Sequence, residues 1–98
     1  MKLIFMGTPD FAVPVLEKLV EERHNIGYVV TQPDRARNRG KVTSSPVKKA
    51  AVDCGISVLQ PENINKALEE KAKMKEFDAD AIIVVAYGQI LKRDILDM

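Results

Sequence analysis

The stretch Lys2–Leu19, KLIFMGTPDFAVPVLEKL, sets the architecture of the chain. Leu3–Met6 is an unbroken apolar run, typical of a strand that lies inside a parallel sheet with helices on both faces. Gly7 ends the run and, having no Cβ, permits a tight turn or a close ligand approach. Thr8–Asp10 indicates the start of a helix through its capping oxygens, and apolar residues follow at helical spacing with Pro14 in the first turn. The stretch therefore predicts half of a βαβ unit, with its glycine at the strand end where α/β sheets bind ligands.

Three more strands are predicted further along the chain: Ile26–Thr31, Ile56–Leu59 and Ala81–Ala86. Helices are predicted over Ala12–Glu22, Pro46–Cys54, Lys66–Phe77 and Arg93–Leu96. Alternation of strands and helices predicts a parallel sheet, and right-handed crossovers favour the strand order 3-2-1-4. We therefore predict an α/β fold, the first half of a doubly wound, Rossmann-like parallel sheet. Because the strand order reverses between the first and fourth strands, Gly7 and Gly88 should flank one crevice.

The fourth predicted strand, Ala81–Ala86, is unsuited to the edge of a sheet. It has no charge, no proline and no glycine, which are the residues that protect exposed edges. We expect a further strand beside it, so that residues 1–98 form part of a larger domain. The same uncovered strand is a candidate surface for self-association.

The segment Gln32–Ser45 is a long loop without apolar periodicity, and it carries a local excess of positive charge. Asp34–Lys49 holds six of the 15 Lys and Arg residues and one of the 14 Asp and Glu residues. In an extended conformation, alternate residues face the same way and would present a row of cations to a phosphate backbone. These cations are Arg35, Arg37, Arg39 and Lys41. The alternative is a solvated loop that binds nothing.

Composition narrows the class of protein. The chain has 98 residues, of which 46% are hydrophobic and 30% charged, and its formal net charge is +1. These values are typical of a globular domain. The longest uncharged run, Ala81–Leu91, is too short to span a bilayer, and we expect a cytoplasmic protein without a membrane partner.

Other kinds of site find little support in the sequence. A dinucleotide fingerprint needs three glycines, but Pro9 and Ala12 hold two of those positions and leave only Gly7. There is no Cys/His cluster for a metal. The single histidine, His24, precedes the second strand, at the edge of the sheet opposite the predicted crevice. We therefore assign no catalytic residue and no metal-binding residue.

The residues Tyr87, Gly88, Gln89, Ile90 and Leu91, which follow the fourth strand, permit a binding wall at the crevice. Gly88 would allow backbone approach, and the two aliphatic residues could line a flat apolar slot. The alternative is an ordinary transition from strand to loop with core side chains.

Six motifs together resemble the methionyl-tRNA formyltransferases over essentially the whole chain. They are GTPDFAVPVL (Gly7–Leu16), VTQPDR (Val30–Arg35), RGK (Arg39–Lys41), SPVK (Ser45–Lys48), LQPE (Leu59–Glu62) and VVAYGQIL (Val84–Leu91). GTPDF alone would indicate only the wider 10-formyltetrahydrofolate-dependent group. VTQPDR with RGK favours the tRNA enzymes over the members that act on sugar nucleotides or glycinamide ribonucleotide.

The resemblance implies formyl transfer from 10-formyltetrahydrofolate to the amino group of methionyl initiator tRNA. It implies that Gln89-Ile90-Leu91 borders the pterin ring, so that the wall Tyr87–Leu91 would bind the cofactor. It also implies that Gly7, Thr8, Pro9 and Phe11 form the crevice floor near the methionine. The loop that carries Arg35, Arg37, Arg39 and Lys41 would contact the tRNA acceptor stem, with Arg39 as the wedge. Arg37-Asn38 departs from the Ala-Gly usual there.

The resemblance also implies that the family's catalytic residues are absent from residues 1–98. The family uses an Asn and a His before an SLLP motif, and an Asp further on, and none of these matches residues 1–98. We expect the chain to be the amino-terminal part of the catalytic domain, truncated before the catalytic motif and inactive alone. Alternatives are another formyltransferase of the group, a non-enzymatic RNA-binding module and a nucleotide-binding Rossmann domain.

Overall fold

The computed structural model describes residues 1–37, 41–89, 91 and 93–96. The strands are β1 (Lys2–Gly7), β2 (Asn25–Val30), β3 (Arg35–Arg37), β4 (Lys41–Thr43), β5 (Ser57–Leu59) and β6 (Ala81–Val85). The helices are α1 (Val13–Glu21), α2 (Pro46–Asp53), α3 (Leu68–Phe77) and α4 (Arg93–Leu96). Short 3-10 helices lie at Asp10–Ala12 and Ile64–Lys66.

Four strands form one parallel sheet in the spatial order β5-β2-β1-β6. Numbered among these four strands alone, this is the predicted order 3-2-1-4, which is confirmed. β1 is central, with Met6 paired to Val30 of β2 on one side and to Val84 of β6 on the other. The carboxyl ends of all four strands therefore lie at one edge of the sheet.

β1 is buried on both faces, as its apolar run predicts. Leu3 and Phe5 enter one core, and Ile4 and Met6 enter a second core on the opposite face. Other buried members are Leu16, Val47 and Ala51 of α1 and α2 in the first core, and Met74 and Ile95 of α3 and α4 in the second. Helices on both faces hold the central strands in place, so the loops at the carboxyl edge extend from a rigid base.

The ends of α2 follow directly from local sequence. The Ser45 hydroxyl accepts a hydrogen bond of 3.0 Å from the backbone N–H of Lys48, and Pro46 occupies the first helical position. At the other end, Gly55 has a φ of +71° and the N–H of Ile56 donates to the carbonyl of Ala51 at 2.9 Å. This is the hydrogen-bond arrangement of a glycine-terminated helix.

The start of α1 differs from the prediction. Thr8–Asp10 does not cap it with a side chain, because the 3-10 helix at Asp10–Ala12 comes first and neither helix has a side-chain cap. Pro14 lies in the first turn of α1, where its missing N–H is harmless. The Thr8 hydroxyl is engaged elsewhere.

The segment Gln32–Ser45, predicted as an irregular loop, contains the antiparallel pair of β3 and β4, with Arg37 opposite Lys41. These strands were not predicted because each has three residues with a single apolar one, which is too short for an alternation to indicate a strand. Arg39 lies outside the described residues, and the side chains of residues 35–43 lie outside them as well.

The outer edge of β6 has no strand beside it among the described residues. Val84, the fourth of its five residues, is 45% exposed. The helices in the described part of the chain all lack the length and apolar character needed to cross a bilayer.

Candidate functional site

Gly7 ends β1 at the carboxyl edge, opposite Val85 in the register with β6. A Cβ at Gly7 would lie 2.8 Å from the Val85 carbonyl oxygen and 3.2 Å from the Cβ of Ala12. The space that glycine leaves is therefore filled by protein. Gly7 permits a close approach of β6 and of the 3-10 helix to the end of β1.

Thr8 joins three segments at this edge. Its hydroxyl donates a hydrogen bond of 2.7 Å to the carbonyl oxygen of Tyr87 and accepts one of 3.3 Å from the backbone N–H of Gln32. The ends of β1, β2 and β6 are thereby tied together. Pro9 next to it is partly buried, whereas Phe11 is 63% exposed and leaves an aromatic face free at the same edge.

A cluster of three glutamines, Gln32, Gln60 and Gln89, connects the segments that follow β2, β5 and β6. The Gln89 amide nitrogen donates to the side-chain oxygen of Gln32 at 2.8 Å and to the carbonyl of Pro61 at 3.1 Å. Its side-chain oxygen accepts from the N–H of Ile64 at 2.7 Å. The side-chain amide of Gln89 is thus fully engaged in hydrogen bonds within the protein, which connect the loops at this edge.

The sequence analysis singled out neither Gln32 nor Gln60, although both lie at this edge of the sheet. The Gln60 amide nitrogen donates to the Gln32 carbonyl oxygen at 3.2 Å and to an Asp34 carboxylate oxygen at 2.8 Å. A signal was present in the sequence, since Gln32 and Gln60 each precede a proline just after a strand that ends at the ligand edge.

The base of the β3–β4 hairpin is fixed by two side-chain pairs. The hydroxyls of Thr31 and Ser45, both fully buried, lie 2.9 Å apart. The Lys48 ammonium lies 3.0 Å from an Asp34 carboxylate oxygen. Asp34 therefore offsets the charge of Lys48, so the net positive charge beside the hairpin is smaller than the count of Lys and Arg residues suggests.

Tyr87 lies in the second core, although it was expected to border the cofactor. It is 2% exposed, and its hydroxyl has no hydrogen-bond partner among the described residues. Burial raises the pKa of this hydroxyl from 10.0 to about 12. The side chain therefore packs inward and leaves only backbone atoms at the edge. Leu91 is half-buried and packs against the same core, and Ile90 lies outside the described residues.

Gly88 turns the backbone at the edge. Its φ is +102°, and Ala86 two residues earlier has a φ of +50°. A Cβ at Gly88 would lie 2.7 Å from the Gln32 amide nitrogen. Gly88 is exposed, so its backbone is open to solvent on one side and packed against Gln32 on the other.

An open groove of about 300 Å³ lies beside this segment. It is lined by Glu62, Asn63, Asn65 and Gln89. Its polar lining suits a ligand rich in hydrogen-bonding groups. No group of three or more potential metal ligands occurs among the described residues. His24 lies 3.4 Å from the Met1 amine at the opposite edge of the sheet.

Comparison with known proteins gives a consistent result. A family model described as formyl transferase matches residues 1–98. The chain is 55% identical to a methionyl-tRNA formyltransferase of Trichormus variabilis, 48% to one of Prochlorococcus marinus and 50% to one of Acidobacterium capsulatum. Each match covers 100% of the chain but 29–32% of the relative, so the chain spans about a third of the length of these curated relatives.

A solved structure shares the fold. Phosphoribosylglycinamide formyltransferase from Bacillus halodurans superposes with a TM-score of 0.68 and 11% identity. The superposition covers 99% of the chain and 50% of that protein.

Proposed function

Because the chain belongs to the formyl transferase family, we propose that it is the amino-terminal part of a methionyl-tRNA formyltransferase. The whole protein would transfer a formyl group from 10-formyltetrahydrofolate to the amino group of methionyl initiator tRNA, for translation initiation in the cytoplasm. The observation that carries this proposal is identity of 48–55% along the entire chain to proteins of that name.

The proposed reaction sets chemical requirements. A neutral amine attacks the formyl carbon, and a donor stabilises the oxyanion that forms. A base takes the proton that the amine loses, and the bond from the formyl carbon to N10 breaks to release tetrahydrofolate, with a proton delivered to N10. In the described part of the edge, the Thr8 hydroxyl and the Gln89 amide are engaged in internal hydrogen bonds, and Asp34 is paired with Lys48. These residues suit positioning, and we propose that residues 1–98 do not transfer formyl groups alone.

The proposed folate border is the segment Tyr87–Leu91. Exposure of Gly88 and the polar groove beside Gln89 support this assignment. We propose that the segment contributes mainly backbone groups, since the Tyr87 side chain is buried and Gln89 is engaged.

The proposed substrate floor is Gly7, Thr8, Pro9 and Phe11. The exposed Phe11 supports it, because an aromatic face suits the apolar side chain of methionine. In this proposal Gly7 acts indirectly, by letting β1 and β6 approach closely.

The proposed tRNA contact is the β3–β4 hairpin, through Arg35, Arg37, Arg39 and Lys41. Anchoring of its base supports this role: the buried Thr31–Ser45 pair and the Asp34–Lys48 ion pair fix where the hairpin leaves the sheet. A fixed base reduces the entropy lost when a basic segment docks on phosphates.

The test is formylation of methionyl-tRNA by the full-length protein, with Arg39→Ala as the variant and Lys49→Ala as control. Lys49 is an exposed cation on α2, outside the hairpin. We expect Arg39→Ala to reduce kcat/KM for the tRNA by at least tenfold and Lys49→Ala to change it less than twofold.

Other outcomes identify the alternatives. If Arg39→Ala and Lys49→Ala changed kcat/KM equally, and the full-length protein formylated a different amine, a sister enzyme of the group would be favoured. Salt-sensitive RNA binding without formyl transfer by the full-length protein would favour an RNA-binding module.

A further inference from the structure

We propose that Gln32 is a positioning residue that holds the folate-bordering segment in place through Gln89. The inference rests on the proposed function only for the identity of the ligand. The arrangement of the two glutamines is a property of the chain itself.

Gln32 contacts both residues at the centre of that segment. Its side-chain oxygen accepts from the Gln89 amide nitrogen at 2.8 Å. Its side-chain nitrogen, Nε2, lies so close to Gly88 that a Cβ added there would be 2.7 Å away from it. One side chain thus supports Gly88 by contact and Gln89 by a hydrogen bond.

The hydrogen bonds of Gln89 determine which group Gln32 must offer. The two amide hydrogens of Gln89 point to Gln32 and to the Pro61 carbonyl, and its oxygen accepts from the Ile64 N–H. Position 32 must therefore provide an acceptor. An amide or a carboxylate can do so, whereas a methionine of similar length cannot.

The backbone of Gln32 has separate partners. Its N–H donates to the Thr8 hydroxyl, and its carbonyl accepts from Gln60. A change of the Gln32 side chain leaves both bonds available. Gln60→Met is the matched control, since the Gln60 side chain donates hydrogen bonds to the Gln32 carbonyl and to Asp34, outside the folate-bordering segment.

The first experiment measures amide hydrogen exchange by NMR in the 98-residue chain. We expect Gln32→Met to speed exchange of the Ile64 N–H and the Gln89 side-chain amide by about tenfold, the effect of losing one hydrogen bond. Gln32→Glu, which keeps an acceptor, and Gln60→Met should each change these rates less than threefold.

The second experiment measures kinetics of the full-length protein. Gln32→Met should raise the KM for 10-formyltetrahydrofolate about tenfold while kcat and the KM for tRNA change less than threefold. Gln32→Glu should restore the KM. A residue that only filled space would tolerate methionine, which is of similar length, so Gln32→Met would then leave the KM for both substrates unchanged.

The outcomes separate the two proposals. Unchanged exchange in Gln32→Met, failure of rescue by glutamate, or an unchanged folate KM would each overturn the positioning role. Altered exchange in a full-length protein that formylates no tRNA would overturn the proposed function and leave the positioning role intact. If Gln32→Met does not fold, Gln32→Ala serves instead, because it removes the same acceptor without placing another long side chain there.

Discussion

The Thr8 hydroxyl donates a hydrogen bond of 2.7 Å to the carbonyl oxygen of Tyr87. The two residues follow the ends of the neighbouring strands β1 and β6 and are 79 residues apart in the chain. Tyr87 lies between Ala86 and Gly88, both of which have a positive φ. Such backbone conformations cost free energy unless neighbouring contacts hold them. One hydroxyl therefore stabilises the turn that forms the proposed folate border.

Replacing Thr8 tests the stabilisation directly. Thr8→Val keeps the shape but leaves the Tyr87 carbonyl and the Gln32 N–H without this partner. We expect the free energy of unfolding, measured by urea titration, to fall by about 1–3 kcal/mol. Thr8→Ser keeps the hydroxyl and should cost less than half as much. Equal losses in the two variants would show that the methyl group contributes as much as the hydroxyl, and a larger loss in Thr8→Ser would show that packing, not the hydrogen bonds, stabilises the turn.

Gly88→Ala should lower the free energy of unfolding more than an ordinary substitution at a turn does. Alanine would have to adopt a φ of +102° and place its Cβ 2.7 Å from the Gln32 amide nitrogen. We expect a loss of about 2–4 kcal/mol in the free energy of unfolding, measured by the same titration.

Gly55→Ala is the matched control for this substitution. Gly55 also has a positive φ, of +71°, but nothing lies within 4 Å of an added Cβ. We expect a loss of about 1 kcal/mol, from conformation alone. If the two alanine variants lost the same free energy, contact between Gly88 and Gln32 would have no energetic consequence.

Tyr87→Phe should stabilise the protein at neutral pH. The Tyr87 hydroxyl is buried without a partner among the described residues, and an unsatisfied buried hydroxyl costs about 1–3 kcal/mol. Phenylalanine keeps the packing and removes that cost, so we expect a gain of about 1 kcal/mol in the free energy of unfolding. A loss of stability would show that the hydroxyl has a partner within the folded protein.

The advantage of Tyr87→Phe should also grow at alkaline pH. Burial raises the pKa of Tyr87 in the folded state from 10.0 to about 12. Below about pH 10 both states hold the proton, and this group adds no pH dependence. Between about pH 10 and pH 12 only the unfolded state releases it, so wild-type stability falls by about 2 kcal/mol relative to the variant. A constant difference across this range would contradict the raised pKa.

The sequence predicted the features that depend on neighbouring residues. Apolar runs identified the two central strands, and Ser45-Pro46 and Gly55 marked the ends of α2 because capping depends on residues a few positions apart. Strand order followed from the handedness of the crossovers and from the position of the most apolar strands.

The site itself was less predictable, because its contacts join distant parts of the chain. Gln32 and Gln89 are 57 residues apart, and no local pattern indicates their hydrogen bond. The local sequence predicts Thr8 as a helix cap, but in the folded chain its hydroxyl donates to the Tyr87 carbonyl. The close packing of Gly7 against Val85 and the burial of the Tyr87 side chain in the second core also depend on residues far apart in the chain.

The outer edge of β6 provides the last prediction. β6 is uncharged, it pairs on one side among the described residues, and Val84 is 45% exposed. Unprotected edges of this kind pair with other strands. We therefore expect the 98-residue chain to self-associate through β6 in sedimentation experiments at micromolar concentration.

Val84→Lys should shift the chain to monomer, because a charged side chain on the edge opposes pairing with a second strand. Val52→Lys is the control, since Val52 is 59% exposed but lies on α2, away from this edge. If both lysine variants dissociated the chain equally, general surface hydrophobicity would explain the association. If the wild-type chain were monomeric at every concentration, the open edge would not be a self-association surface.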